Sequence, residues 1–526
     1  MRTLQRDNAD PFTEARATRR EMLGLTALGI LAAGVRPARA QPHGRLVYAA
    51  HVSLAPTWFD PAETPGIVTP FMLYYALHDA LMKPMPGKPT DLSLASDYAA
   101  SADGLSHEFR LRDGVTFHNG EAVTTADVKF SFERYRGNAA SFLKAKVAAV
   151  ETPDPRRVIF RLHKAWPDFL LYYSSVTGAG WIVPKKYLES VGEDGFKKAP
   201  IGAGPYKFMA FNPGVELTME AFEGYWRKTP TVKTLVWRVI PDETTRLAAL
   251  KRGEVDIAYS VRGELAEEIR RTPGLTLKPV VINSPFWIYF ADQWDPKSPW
   301  HDARMRKAVS LALDRDAINQ ALTLGHSLIT YSIVPKDYEF YWQPPRIPYD
   351  PAQAKALLAE AGFRGGFDAG DYFCDSSYSN LAEAAVNFLQ EVGIRMKLRP
   401  FERAAFNRAY MEKKLSNIIQ AGSGAFGNAA TRMETFVVNG GAYVYGSYPD
   451  IDALFAQQAE TTDRGRRSEI LHRMQQMVHD RAVYAPLWQL GFLNGQGPRV
   501  DDAAFNRISG HPYSAPVEDV RLKSGA

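Results

Sequence analysis

Short apolar runs and amphipathic stretches alternate along most of the chain, parted by Gly and Pro turns. Residues 45–50 read as a strand, and residues 157–162 alternate polar and apolar positions as a half-buried strand does. Residues 108–112 and 115–117 flank Asp113-Gly114, which predicts a hairpin. A further strand spans 234–240 and ends at Pro241. Other segments follow the helical period. Residues 302–313 place Met305, Ala308, Val309 and Ala312 on one face. Thr125 is the expected N-cap of a helix reaching Tyr135, and Asp242 that of a helix closed by Gly253. A helix over 350–361 has Pro351 in its first turn and Gly362 as its stop. Helices are also predicted over 381–392, 403–415 and 468–480, and strands over 394–398, 417–420 and 483–490. The mixture predicts an α/β fold. No 20–50-residue repeat is visible, which argues against solenoids and propellers.

The first forty residues break this pattern. A basic stretch containing Arg19-Arg20 precedes an apolar run over 22–35, and Ala38-Arg39-Ala40 follows. That order predicts a secretory signal of twin-arginine type, cleaved before Gln41. A bilayer span needs about 20 apolar residues, more than this run offers. The mature protein is therefore expected in the periplasm. Of 63 basic and 58 acidic residues, seven and four lie in residues 1–40, so the rest carries only +2. Such a body has no basic excess for nucleic acid. Cys374 is the single cysteine, which excludes an internal disulfide and a cysteine-cage zinc site.

Several stretches resemble one family in order. They include Trp58-Phe59-Asp60-Pro61, the block from Asp103-Gly104 through Asp113-Gly114-Val115 and Phe117-His118-Asn119-Gly120, and the turn Gly202-Ala203-Gly204-Pro205-Tyr206. Tyr225-Trp226, Gly253-Glu254-Val255-Asp256, the segment from Asp302 to Arg315 and Tyr349-Asp350-Pro351 continue the series. Together they resemble the extracytoplasmic solute-binding proteins of ABC importers, family 5, the dipeptide, oligopeptide and nickel-binding type. The resemblance implies a two-lobed periplasmic binding protein fold of type II, closing about a hinge. It implies lobe I over 41–286 with an extra subdomain at about 82–200, lobe II over 287–490, and a return to lobe I over 491–526. His118 and Glu121 would then be turn and surface residues. It further implies a monomer without catalytic residues, metal or cofactor, whose partners are a small solute and the transmembrane subunits of an ABC permease.

A ligand cleft needs apolar walls with a few placed polar groups. Trp58, Trp287, Tyr289, Tyr443, Tyr445 and Trp488 lie near strand ends or the lobe crossovers and can stack on a ligand, although core packing is open to each. Peptide-binding members of the family carry an Asp after the helix that begins here at Arg403; it pairs with the peptide ammonium. Residues 417–428 contain no acid and no base. A buried ammonium without countercharge costs several kcal/mol. The expected ligand is thus an aromatic, amide-rich or sugar-like molecule, or an anion. Gly422, Ser423 and Gly424 could offer backbone N–H donors beside Phe426. Arg403 could supply positive charge, although arginine is mostly exposed.

Residues 422–427 also fit G-x-G-x-x-G, so an exported dinucleotide-dependent oxidoreductase is the alternative reading. A serine hydrolase fails, because the glycines adjoin Ser423 rather than standing two residues away. His472 and His479 are seven apart and are expected to face solvent.

Overall fold

A twisted sheet of eleven strands carries the whole architecture. The computed structural model describes residues 41–63, 69–137, 139–423 and 427–525. The expected signal segment lies outside them. In chain order the strands are β1 (His43–Ala50), β2 (Tyr206–Asn212), β3 (Glu216–Ala221), β4 (Val232–Val239), β5 (Ile257–Ala258), β6 (Thr276–Phe290), β7 (Leu328–Ile329), β8 (Phe367–Asp375), β9 (Ile394–Phe401), β10 (Ile418–Gly422) and β11 (Tyr484–Gln496). Their spatial order is β2-β3-β4-β1-β5-β11-β6-β10-β8-β9, with β7 added to β11.

The alternation in β1 explains its central place. Leu46, Tyr48 and Ala50 pack into one apolar cluster, Val47 and Ala49 into another. A strand covered on both faces suits parallel pairing, and β1 pairs parallel with both β4 and β5.

Two long strands join the halves of the sheet. β6 and β11 pair antiparallel from Thr276↔Gln496 to Val281↔Gly491, then again from Pro285↔Gln489 to Tyr289↔Tyr484. Between these runs the register breaks, with Ile282–Ser284 facing Leu490. The expected lobe boundaries at 286/287 and 490/491 fall beside this break. The C-terminal segment packs on the first half: Tyr259 Oη donates to Ser514 Oγ at 3.1 Å, and Arg227 pairs with Glu518 at 2.6 Å.

A four-stranded sheet is inserted in the first half, in the order Ala95–Ala100, Ser106–Leu111, Arg157–Leu162, Val147–Asp154. It has its own core around Phe109, Phe160 and Tyr173. The hairpin predicted at Asp113-Gly114 does not form. The turn is made, but both edges of Ser106–Leu111 are already taken by 95–100 and 157–162. Val115 and Phe117 go into the core instead. The next helix, Thr125–Arg134, is capped one residue earlier than expected, by Thr124 paired reciprocally with Asp127. His118 is not a surface residue either. Its Nδ1 accepts from the Gly202 amide at 3.2 Å and its Nε2 donates to the Gly204 carbonyl at 2.9 Å. Burial lowers its pKa to about 3, so the ring stays neutral.

Candidate functional site

At the register break lies a cavity of about 90 Å³. It shares Ile282 with a wider cleft of about 660 Å³ whose wall includes Tyr338 and His511. The cavity is lined by residues of β6 and β10 together with Thr69, Pro512 and Tyr513. β8 pairs parallel with β9 and β10. Asp375 ends β8 and Ser423 follows β10, so both stand at the carboxyl ends of parallel strands, where open α/β sheets bind ligands.

Helix α1 (Arg403–Met411) supplies Arg403, Phe406 and Tyr410. Its N-terminus is held by Glu402, which accepts from the amides of Ala404 at 2.8 Å and Ala405 at 3.1 Å. Arg403 is not the exposed helix residue its type suggests. It is 8% exposed, is ion-paired with Asp375, and donates to Thr69 Oγ1 at 3.0 Å across the cavity. Its guanidinium carbon lies 4.8 Å from the Tyr378 ring centre. Burial opposes the charge, but the Asp375 carboxylate outweighs it and holds the guanidinium well above its ordinary range.

Helix α2 (Ala429–Phe436) brings Phe436 to the same wall. Trp287 meets Phe436 edge-on at 5.0 Å, and Tyr443 stacks on it at 5.3 Å. Gly422 is there because a Cβ would stand 2.6 Å from the Phe286 ring. The Ser423 amide is not free for a ligand, because it donates to the Pro285 carbonyl at 3.2 Å. What Ser423 offers is its hydroxyl, buried without a partner among the described residues.

The structure thus brings Trp287, Arg403, Gly422, Ser423 and Tyr443 to one cavity. The other expected contacts lie elsewhere. Trp58 is buried in the apolar cluster that also holds Trp287 and Tyr443 but does not line the cavity, and Trp488 is buried in another, opposite Phe286 and Ile329 in the sheet. Tyr289 and Tyr445 form a layer behind the cavity. The Tyr289 hydroxyl accepts from Trp294 Nε1 at 3.1 Å and from the Tyr445 amide at 3.3 Å. Tyr445 in turn backs Tyr410, with ring centres 5.9 Å apart. Gly424 and Phe426 lie outside the described residues. His472 and His479 are half-buried rather than solvated, and His479 meets Trp342 edge-on at 5.8 Å. Among the described residues no cluster of three or more His, Cys, Asp or Glu could hold a metal.

Sequence reasoning missed Asp375, Tyr410 and Phe436. Asp375 had a legible signal, as the acid that follows the short apolar run Tyr372-Phe373-Cys374 and precedes Ser376-Ser377. Tyr410 and Phe436 looked like any helical core residue.

Comparison with known proteins agrees with this architecture. Residues 91–443 match the family described as "Bacterial extracellular solute-binding proteins, family 5 Middle". The glutathione-binding protein GsiB of Pectobacterium atrosepticum is 27% identical over 409 residues, covering 73% of this chain and 77% of that protein. Among solved structures, AgaA in complex with agropinic acid, from A. tumefacien R10, superposes with a TM-score of 0.79 at 24% identity, over 92% of this chain and 99% of that one. The periplasmic binding protein DppA from Helicobacter pylori, in complex with peptide STSA, gives 0.78 at 21% identity, over 91% and 98%. The oxidoreductase alternative is not supported. The matched family is one of binding proteins. With this two-lobed sheet, a cavity at its crossing point and a family match from 91 to 443, the chain belongs to the bacterial extracellular solute-binding proteins of family 5 and is the solute-binding component of an ABC importer.

Proposed function

We propose that the protein works in the periplasm as a monomer, acts by binding alone, and captures a small organic solute whose amino group, if it has one, is not clamped by a buried acid. The observation that carries this is Asp375. It is the one carboxylate in the cavity wall among the described residues, and Arg403 already neutralises it. A free ammonium brought there would compete with a buried guanidinium for the same oxygens. The walls instead offer the faces and edges of Trp287, Phe436 and Tyr443 and the Ser423 hydroxyl. Aromatic faces suit planar or sugar-like surfaces and exclude water. Closing the two lobes over the solute would shift the population toward the form a permease accepts, by contacts present only when closed.

The relatives named above are described with glutathione, agropinic acid and a tetrapeptide, so the scaffold takes both peptides and non-peptides. The reading is tested by thermal shift and calorimetry on the chain starting at Gln41, with glutathione, agropinic acid and a free dipeptide. A ligand at 100 times its Kd adds about 2.7 kcal/mol of stability. Stabilisation by agropinic acid but not by the dipeptide is expected, and glutathione, which also carries a free ammonium, should behave as the dipeptide does. Tight dipeptide binding would overturn the reading.

A further inference from the structure

A pocket of about 450 Å³ lies in the second half of the chain, apart from the solute cavity and the wider cleft. No described residue lines both this pocket and either of those spaces. Its walls include parts of the helices Ala303–Leu311 and Arg464–Asp480, the segment 331–348 and β11. They are mostly apolar, with Ile333, Trp342, Pro344, Leu357, Val478 and Pro486 among them. Small-molecule sites span roughly 300–1,000 Å³, and this pocket falls within that range. Protein interiors otherwise hold few hollows larger than a water molecule.

The aromatic wall is held from behind. The Trp342 amide donates to Gln475 Oε1 at 3.1 Å, and Gln475 Nε2 donates to the Phe340 carbonyl at 2.7 Å, which pins the segment to the helix. The charge around the pocket has one sign. Lys307 and Arg346 line it, and no Asp or Glu does. Arg346 meets Asp316 at 3.6 Å with both side chains exposed, a pair too weak to hold the guanidinium. Lys307 makes no ion pair among the described residues. Burial keeps His479 below its ordinary pKa, so at neutral pH it adds no charge. Ser332 Oγ accepts from the Val334 amide at 3.0 Å, which leaves its hydrogen to donate. Such a lining attracts an anion and repels an ammonium.

We propose that this pocket is a second ligand site, which takes a small aromatic carboxylate with its ring in the apolar hollow and its carboxylate at Lys307 and Arg346. Flat apolar walls of Trp342 and the prolines suit an aromatic body. The assignment does not depend on which solute fills the cavity. Tyr484, which lines the pocket, meets Trp287 of the cavity edge-on at 5.9 Å, so one layer of side chains parts the two sites.

The test uses the chain starting at Gln41, with phenylbutyrate and its uncharged amide as probes. Calorimetry measures their affinities, and hydrogen exchange locates them. Phenylbutyrate should bind about tenfold more tightly than the amide, as two exposed cations allow. It should slow exchange over 331–348 and 475–482 and leave β6 and α1 unchanged. Replacing both cations, Lys307→Met with Arg346→Met, should abolish the preference and change amide affinity less than about twofold. Both side chains are exposed, so this variant is expected to fold as the unaltered protein does. Trp342→Ala should weaken both probes by about tenfold, through the lost aromatic wall. Absence of phenylbutyrate binding would overturn the assignment, and so would equal affinity for acid and amide. A preference that survives in the double variant, or protection centred on β6 and α1, would place the probe elsewhere and overturn it too. None of these outcomes alters the reading of the cavity.

Discussion

Asp375 and Arg403 show how much one buried pair decides. Removing one partner of such a pair leaves an uncompensated charge and typically costs 3–5 kcal/mol. Asp375→Asn is therefore expected to lower stability by about 3–5 kcal/mol in urea titration; a loss below about 1 kcal/mol would mean that Arg403 finds other acceptors. Arg403 was legible as positive charge near the site but not as buried, because its partner lies 28 residues earlier, at the end of β8. Glu434, on α2, gives a pH prediction. Burial raises its carboxyl to about 7, against counteracting contacts from Tyr172 and Lys146 and with a further push from Asp168. The folded state therefore holds this proton more tightly than the unfolded chain does. The resulting cost is absent below the ordinary value of 4.5 and grows as pH rises toward 7. Glu434→Gln should leave stability unchanged near pH 4.5 and raise it by about 3 kcal/mol at pH 8. An equal effect at both pH values would disprove the titration.

Elements were legible where a local rule set them. Asp242 accepts from an amide of the helix it precedes, as expected, and Asp302 and Asp350, read as first helical residues, turn out to cap in the same way. The strand at 157–162 was visible in its alternation, and those at 45–50 and 394–398 as short strand-like runs. What could not be read was who pairs with whom. The failed hairpin at Asp113-Gly114 is the clearest instance, since a favourable turn loses to two strands that reach the same edges from farther along the chain. The turn at Gly202 shows the reverse, a local motif whose reason is distant. A Cβ on Gly202 would collide with the Leu77 carbonyl oxygen and stand 2.7 Å from His78 Nδ1. Gly202→Ala should accordingly destabilise by about 2 kcal/mol or more, because backbone cannot yield as a flexible side chain does; calorimetric unfolding within a degree of the unaltered protein would refute this.

Across the whole molecule, contacts outside the cavity also join the two halves. Asp168, in the inserted subdomain, is ion-paired with Arg467 and accepts from Asn428 at 2.8 Å, and Asn428 caps α2. Tyr172 donates to the Thr431 carbonyl at 3.4 Å. Replacing both charges, Asp168→Asn with Arg467→Met, avoids stranding either one. The double variant should keep its fold yet sample open forms more, giving a larger radius of gyration in solution scattering and about tenfold weaker binding. An unchanged radius and affinity would show that these bonds do not govern closure. None of this was legible, since Asp168 and Arg467 are 299 residues apart. The register break has its own consequence. Ile282 and Ser284 belong both to the gap in the β6–β11 ladder and to the cavity wall. A solute in the cavity thus touches the stretch of β6 whose backbone is not tied into the β11 ladder. The Arg403–Thr69 bond spans the same cavity, so a solute held there meets both that bond and the untied stretch of β6.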